Sequence, residues 1–188
     1  MKRSEINALV ADATSCFERH GWTLPPAPRW DVTDFGLGDW RRFGLVLINL
    51  TEEPEYCEKL MYAKAGMVTP MHWHASKKED IICRTGALVL RFTEVASRCG
   101  SAVFQLKVNG QLEWISPGTT ITLHAGERVT IPPGVVHGFE PGSDEVIIGE
   151  VSTANNDLDD NFFVDPAVGR FPEVIENEPA IVKLVSDG

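Results

Sequence analysis

Two histidines one residue apart, His72 and His74, are followed five positions later by a carboxylate, Glu79. On an extended strand, residues two apart point to the same face, so both imidazoles can reach one point. The odd offset would aim Glu79 at the opposite face of an unbroken strand. A shared site therefore requires a turn, and the intervening "ASKK" is polar and turn-compatible. A polar hairpin that happens to contain two histidines would read the same way. A fourth group distinguishes the two cases, and "GERVTIPPGVVHGF" supplies His137 just after a Pro-Pro-Gly turn. Three neutral imidazoles and one carboxylate suit a borderline divalent metal such as Mn, Fe, Co, Ni or Zn. They leave positions open on an octahedral ion for water or substrate. No thiolate takes part, which argues against a structural zinc knot.

The surrounding elements must bring these groups together. Residues 4–20 place Ile6, Leu9, Val10, Ala13 and Phe17 on one helix face. Gly21 suits the position past the helix end, and His20 the last turn beside the negative dipole end. "LPPAPRW" is a stiff extended linker, since proline excludes helix there. After Trp30 the period changes. Short apolar runs ("FGLVLINL", "EKLMYAKAG", "ALVLRFTEV", "AVFQLKVNG", "TITLHAGE", "RVTIPPG", "EVIIGEV") are punctuated by glycine and proline. This predicts an all-β sandwich or barrel. The expected division is a helix and linker over 1–30 and a β-domain over 31–188, a single domain overall. "RFPEVIENEPAIVKLV" reads as irregular chain with one edge strand. His124, before "AGE", reads as a turn histidine.

The chain has 188 residues, 43% of them hydrophobic, enough for a real core. Its net charge of -10 disfavours nucleic acid and anionic membrane surfaces as partners. No apolar run is long enough to span a bilayer. The basic start, Met-Lys-Arg-Ser-Glu, has no apolar stretch behind it, so no signal peptide is expected. Cys16, Cys57, Cys83 and Cys99 form no C-x-x-C pair. Reduced, buried thiols in a cytoplasm are the expected state.

The first stretch has the form G-x5-H-x-H-x4-E-x6-G, on Gly66, His72, His74, Glu79 and Gly86. The second has the form G-x5-P-x-G-x2-H, on Gly126, Pro132, Gly134 and His137. Together they resemble the two motifs of the cupin superfamily, except that "GFEP" lacks the asparagine usual after the second. The resemblance implies a cupin-type antiparallel β-barrel or jelly roll, with a metal held by His72, His74, Glu79 and His137. "TPMHWHASKKEDII" and "GEVSTANNDLDDNFF" further resemble segments of the cupin-type D-lyxose isomerases. That likeness implies aldose–ketose isomerisation of D-lyxose and D-xylulose, often with D-mannose and D-fructose, on Mn2+. It also implies a small neutral sugar as substrate and a homodimer.

Isomerisation needs a base at C2 and positive charge where enediolate oxygens develop. Glu150 ends the apolar run "VIIG" and shares a strand face with Val146 and Ile148, so it is the candidate base. A dry cavity would be expected to raise its pKa toward neutrality. Lys77 lies in the turn between His74 and Glu79 and is the second catalytic candidate. Asp157 and Asp160 could accept hydrogen bonds from sugar hydroxyls. One departure stands out. The family's loop ends Asp-Asn-Arg-Phe, and here Phe162 replaces the arginine, with Arg170 a conceivable substitute. Two other readings stay open: a cupin Fe(II) dioxygenase and a non-catalytic sugar-binding cupin.

Overall fold

The helical spacing at the N-terminus becomes α1, Arg3–Arg19, and its apolar face is buried. Gly21, at φ 73°, closes the helix, and the Trp22 amide donates to the Phe17 carbonyl at 2.9 Å. A left-handed glycine there satisfies carbonyls the helix leaves open. The computed structural model describes residues 1–95, 103–154, 159–169 and 173–187.

The strands are β1 (Arg29–Thr33), β2 (Leu45–Glu52), β3 (Tyr56–Lys64), β4 (His72–Trp73), β5 (Glu79–Thr85), β6 (Ala87–Val95), β7 (Phe104–Val108), β8 (Gln111–Ile115), β9 (Thr120–His124), β10 (Arg128–Ile131), β11 (Val135–Pro141), β12 (Glu145–Thr153) and β13 (Phe162–Phe163). They form two antiparallel sheets, ordered β1-β2-β3-β12-β5-β10-β7-β8 and β13-β4-β11-β6-β9. Side chains from both sheets share one buried core. The expected antiparallel β architecture with an N-terminal helix is therefore present.

The near-continuous apolar run of β2 has a physical reason. Val46 and Ile48 are buried on one face. On the neighbouring strand, Tyr62 meets Phe17 of α1 edge-to-face at 6.3 Å. Leu45, Leu47, Lys59 and Met61 point the other way and line a cavity between the sheets. A sheet covered on both faces loses its polar alternation.

The tail differs from expectation. Among the described residues it forms no edge strand, only single-residue bridges of Ile175 to Lys2 and Leu184 to Trp30, then a 3-10 turn at Val185–Asp187. Side chains hold it instead of a ladder. Buried Arg3 donates to both Glu176 oxygens, at 2.9 and 2.6 Å, and to Asp187 at 2.9 Å. Cys16, Cys57 and Cys83 are buried free thiols, while Cys99 lies outside the described residues. Among the described residues, no helix is long and apolar enough to cross a membrane.

Candidate metal centre and catalytic cavity

Three separate segments bring the four ligand candidates together. His72 of β4 pairs directly with His137 of β11, and His74 follows at the end of the same short strand. The Pro-Pro-Gly turn is fastened to it, because the Gly134 amide donates to the His74 carbonyl at 2.7 Å. Glu79 opens β5 after the expected turn. Gly138 permits the close approach. A Cβ there would lie 2.8 Å from the Thr69 carbonyl oxygen and from Met71 Sδ, in the segment leading into His72.

One ligand atom from each of His72, His74, Glu79 and His137 lies within 4.8 Å of the others, and all four residues are buried. The outer ring nitrogens are already committed. His72 Nδ1 meets the Pro70 carbonyl at 2.8 Å, His137 Nδ1 meets the Val135 carbonyl at 2.9 Å, and His74 Nδ1 meets the Asp160 carbonyl. A carbonyl can only accept, so each Nδ1 carries a proton, and in the neutral ring that leaves the Nε2 lone pair facing inward. His137 Nε2 lies 2.8 Å from Glu79 Oε1, yet both are buried without a hydrogen-bond partner. Two facing acceptors in a dry site repel unless a cation serves both. The residues present thus fit a divalent metal.

The electrostatics agree. Burial, with neighbouring His137 and His74, pushes His72 well below its ordinary pKa of 6.5. Burial likewise lowers His74. Neutral imidazoles are the ligating form. Burial favours the neutral form of Glu79, but the neighbouring Lys77 ammonium opposes it, and the carboxyl lies well below the usual range.

Lys77 and Glu150 meet beside this group. Lys77 Nζ lies 2.9 Å from Glu150 Oε1 and 3.0 Å from Glu79 Oε2, with all three side chains buried. Val146, Ile148 and Glu150 are all buried, so Glu150 is no exposed strand end. The expected upward shift of Glu150 is corrected. Burial does push it up, but Lys77 and Lys59 together bring it below the ordinary carboxylate value. Lys77 is raised despite burial, because Glu150 and Glu79 favour its charge.

A sequence profile of the D-lyxose isomerase family matches residues 27–188. The chain is 32% identical to the D-lyxose/D-mannose isomerase of Escherichia coli O157:H7, over all of this chain and 98% of that one. The chain belongs to the D-lyxose isomerase family. It is also 31% identical to the D-lyxose ketol-isomerase of Cohnella laeviribosi, over 93% of this chain and 98% of the relative. The L-ribose isomerase of Cellulomonas parahominis, solved with L-ribose, shares the fold with a TM-score of 0.69 at 20% identity, over 93% of this chain and 98% of that chain.

The family's missing arginine looks different on this backbone. Phe162 stacks on Trp73, centroids 4.5 Å apart at 19°. Its neighbours Asn161 and Phe163 line the cavity, so position 162 faces outward. Phe162 is thus directed away from the cavity. Asp157 and Arg170 lie outside the described residues. Asp160 is not among the cavity-lining residues, and its carboxylate is turned to the backbone of 75–77.

Several polar cavity residues escape a motif reading of this family member. Asp31 and Thr33 come from β1, Lys59 from β3, and Asn161 carries a buried Oδ1 without a protein partner. Lys59 stands directly opposite Glu150 across the β3–β12 ladder. Its lone signal was a lysine inside an otherwise apolar run. A second cluster, Cys16, His20 and Glu145, also lies within 4.8 Å. There Arg19 already takes Glu145 at 2.6 Å, and burial pushes the Cys16 thiol up to about 11. That cluster ties α1 to β12.

Proposed function

We propose that this protein interconverts D-lyxose and D-xylulose, and D-mannose and D-fructose, using Mn2+ held by His72, His74, Glu79 and His137. In the reaction the C2–H bond breaks and a C1–H bond forms, while the O2 hydroxyl proton passes to O1. A divalent ion in this centre would supply Lewis-acid charge for the two oxygens as enediolate character develops.

Glu150 is the base in this reading. Lys77 and Lys59 keep it ionised at neutral pH, so it is ready to accept the C2 proton and return it to C1. Lys77 stabilises the developing negative charge and, as Glu150 takes up the proton, remains the counter-charge of Glu79. Asp31, Thr33 and Asn161 offer hydrogen-bonding groups to the remaining hydroxyls. Asp157 belongs to the same sugar-binding reading on sequence grounds alone. A homodimer in the cytoplasm completes it, and analytical ultracentrifugation tests the dimer.

The observation that carries the proposal is the buried carboxylate–ammonium pair, Glu150 and Lys77, in the cavity beside the ligand group. A cupin dioxygenase would use the same ligands but has no need of that pair. The test is proton NMR in D2O with metal-reconstituted protein and a panel of pentoses and hexoses. Deuterium at C2 of the aldose formed from ketose is the expected result. Glu150→Gln should lower turnover about 10^2–10^4-fold while metal still binds. Retained turnover in that variant would remove Glu150 as base. No exchange with any sugar would remove the isomerase reading.

A further inference from the structure

Asp160 makes several hydrogen bonds to the turn that joins the candidate ligands His74 and Glu79. Its Oδ1 accepts the amides of Ala75 at 2.7 Å and Ser76 at 2.9 Å. Its Oδ2 accepts the Lys77 amide at 2.8 Å and shares the Ser76 amide at 3.1 Å. Its backbone carbonyl accepts His74 Nδ1–H. One buried residue thus grips four consecutive positions, 74–77. Three successive amides pointing at one carboxylate make an anion nest, and hydrogen bonds to a charged acceptor are the strong kind.

The turn it holds solves a parity problem. His74, Lys77 and Glu79 all face the same interior, yet on an extended strand His74 and Lys77 would point to opposite faces. The chain must break its alternation between them, and the nest is where it does so. Asp160 is itself anchored from behind. Phe163 pairs with His72 and Phe162 with Trp73, and the Val164 amide donates to the Met71 carbonyl at 2.9 Å. The segment from 160 to 164 therefore runs along the outer edge of β4, with the carboxylate under the turn at its end.

We propose that Asp160 is a positioning residue for this centre. Its carboxylate folds the 75–77 turn that aims Lys77 at Glu150, and its carbonyl selects the His74 tautomer that leaves Nε2 free to ligate. It acts through Lys77 and His74 and is not itself part of the cavity wall. This deepens the metal-dependent isomerase reading and rests on it.

The test measures metal affinity first, by competition of Mn2+ or Co2+ with a chromophoric chelator. Asp160→Asn removes the charge and one acceptor but keeps the size, and should raise the metal Kd about 10–100-fold, as loss of a supporting partner does. At saturating metal its kcat should fall while KM for the sugar changes little, because Lys77 is misaimed. Asp165→Asn, on the same segment, should leave the metal Kd unchanged. An Asp160→Asn protein with unchanged metal Kd and kcat but a raised KM would overturn the proposal, and would return Asp160 to a sugar-contacting role. If the variant does not fold, the unaltered protein decides. Its Ala75, Ser76 and Lys77 amides should be protected from hydrogen exchange, and 15N shifts should report the Nδ1–H tautomer of His74. Amides exchanging like those of a free turn would also overturn it. The metal-affinity, exchange and tautomer readouts need no sugar, so a failure of turnover in the unaltered protein, which refutes the isomerase reading, is distinguishable from a failure of the positioning role.

Discussion

Arg3 and Lys77 are each a buried cation set between two carboxylates, and they do different work. At the end of the helix, Arg3 lies between Glu176 and Asp187, and its planar fork is filled by hydrogen bonds. Both carboxylates keep contact with solvent. In the cavity, Lys77 lies between Glu79 and Glu150, and every member is buried. That second cluster is left unfinished, with Glu79 Oε1 and His137 Nε2 lacking partners. A finished cluster at the surface clamps a tail. An unfinished one in the dark holds charge in readiness for ligands. The residue types follow the tasks, since guanidinium suits a fixed bidentate grip and ammonium a compact charge that can exchange partners.

The comparison is broken most severely by removing the cations. Lys77→Met leaves two buried carboxylates facing one another, and should cost about 3–5 kcal/mol of stability in the metal-free protein. Turnover should drop about 10^2–10^4-fold. Chemical denaturation and sugar kinetics measure the two effects. Acid is the next probe. His72 and His74 are held below 6.5 in the folded state, so the unfolded chain binds more protons below that pH. Metal-free protein should keep this stability above pH 6.5 and lose it as pH falls further. The depressed Glu79 and Glu150 add a second loss below their ordinary value of 4.5, as pH falls toward their folded values. Thermal melts across pH 3–8 would expose both, and a flat profile would contradict the buried, neutral histidines.

Gly138→Ala tests the packing behind the ligands. Its new methyl meets the Thr69 carbonyl, so the chain leading to His72 must shift, with about 1–3 kcal/mol lost and weaker metal binding. The mildest change should be Arg3→Met. Glu176 and Asp187 would return to water, lowering Tm on the order of 2–4 °C with turnover unchanged. A loss of activity in that variant would mean that the tail clamp and the cavity are coupled.

Three of the four candidate ligands are legible because their spacing is local, and the fourth, His137, is legible from the second motif. His72 and His74 share a face by strand geometry, and the turn needed to bring in Glu79 is visible as "ASKK". The apolar runs likewise declare most strands. What hides is anything set by distant chain. A lone aspartate at 160 reads as one more acceptor for a sugar, and nothing nearby says its amides are at 75–77. Phe162 looks like a lost cavity group until its partner Trp73 fixes which way it faces. The direction of the Glu150 shift is hidden for the same reason. Desolvation follows from its apolar run, but the two lysines that outweigh it come from β3 and from a turn.

Glu150 stands in the middle of β12, bonded to β3 on one side and β5 on the other. Strands flanked on both sides are the last to open in a fluctuating protein. Other polar groups on the cavity wall, Asp31, Thr33 and Asn161, come instead from the sheet-edge strand β1 and from the residue before β13. Divergence can therefore remodel which carbohydrate is admitted without displacing the atom that moves the proton. Directed evolution toward another aldose should accumulate its changes at positions 31, 33 and 161, and leave the central strand alone.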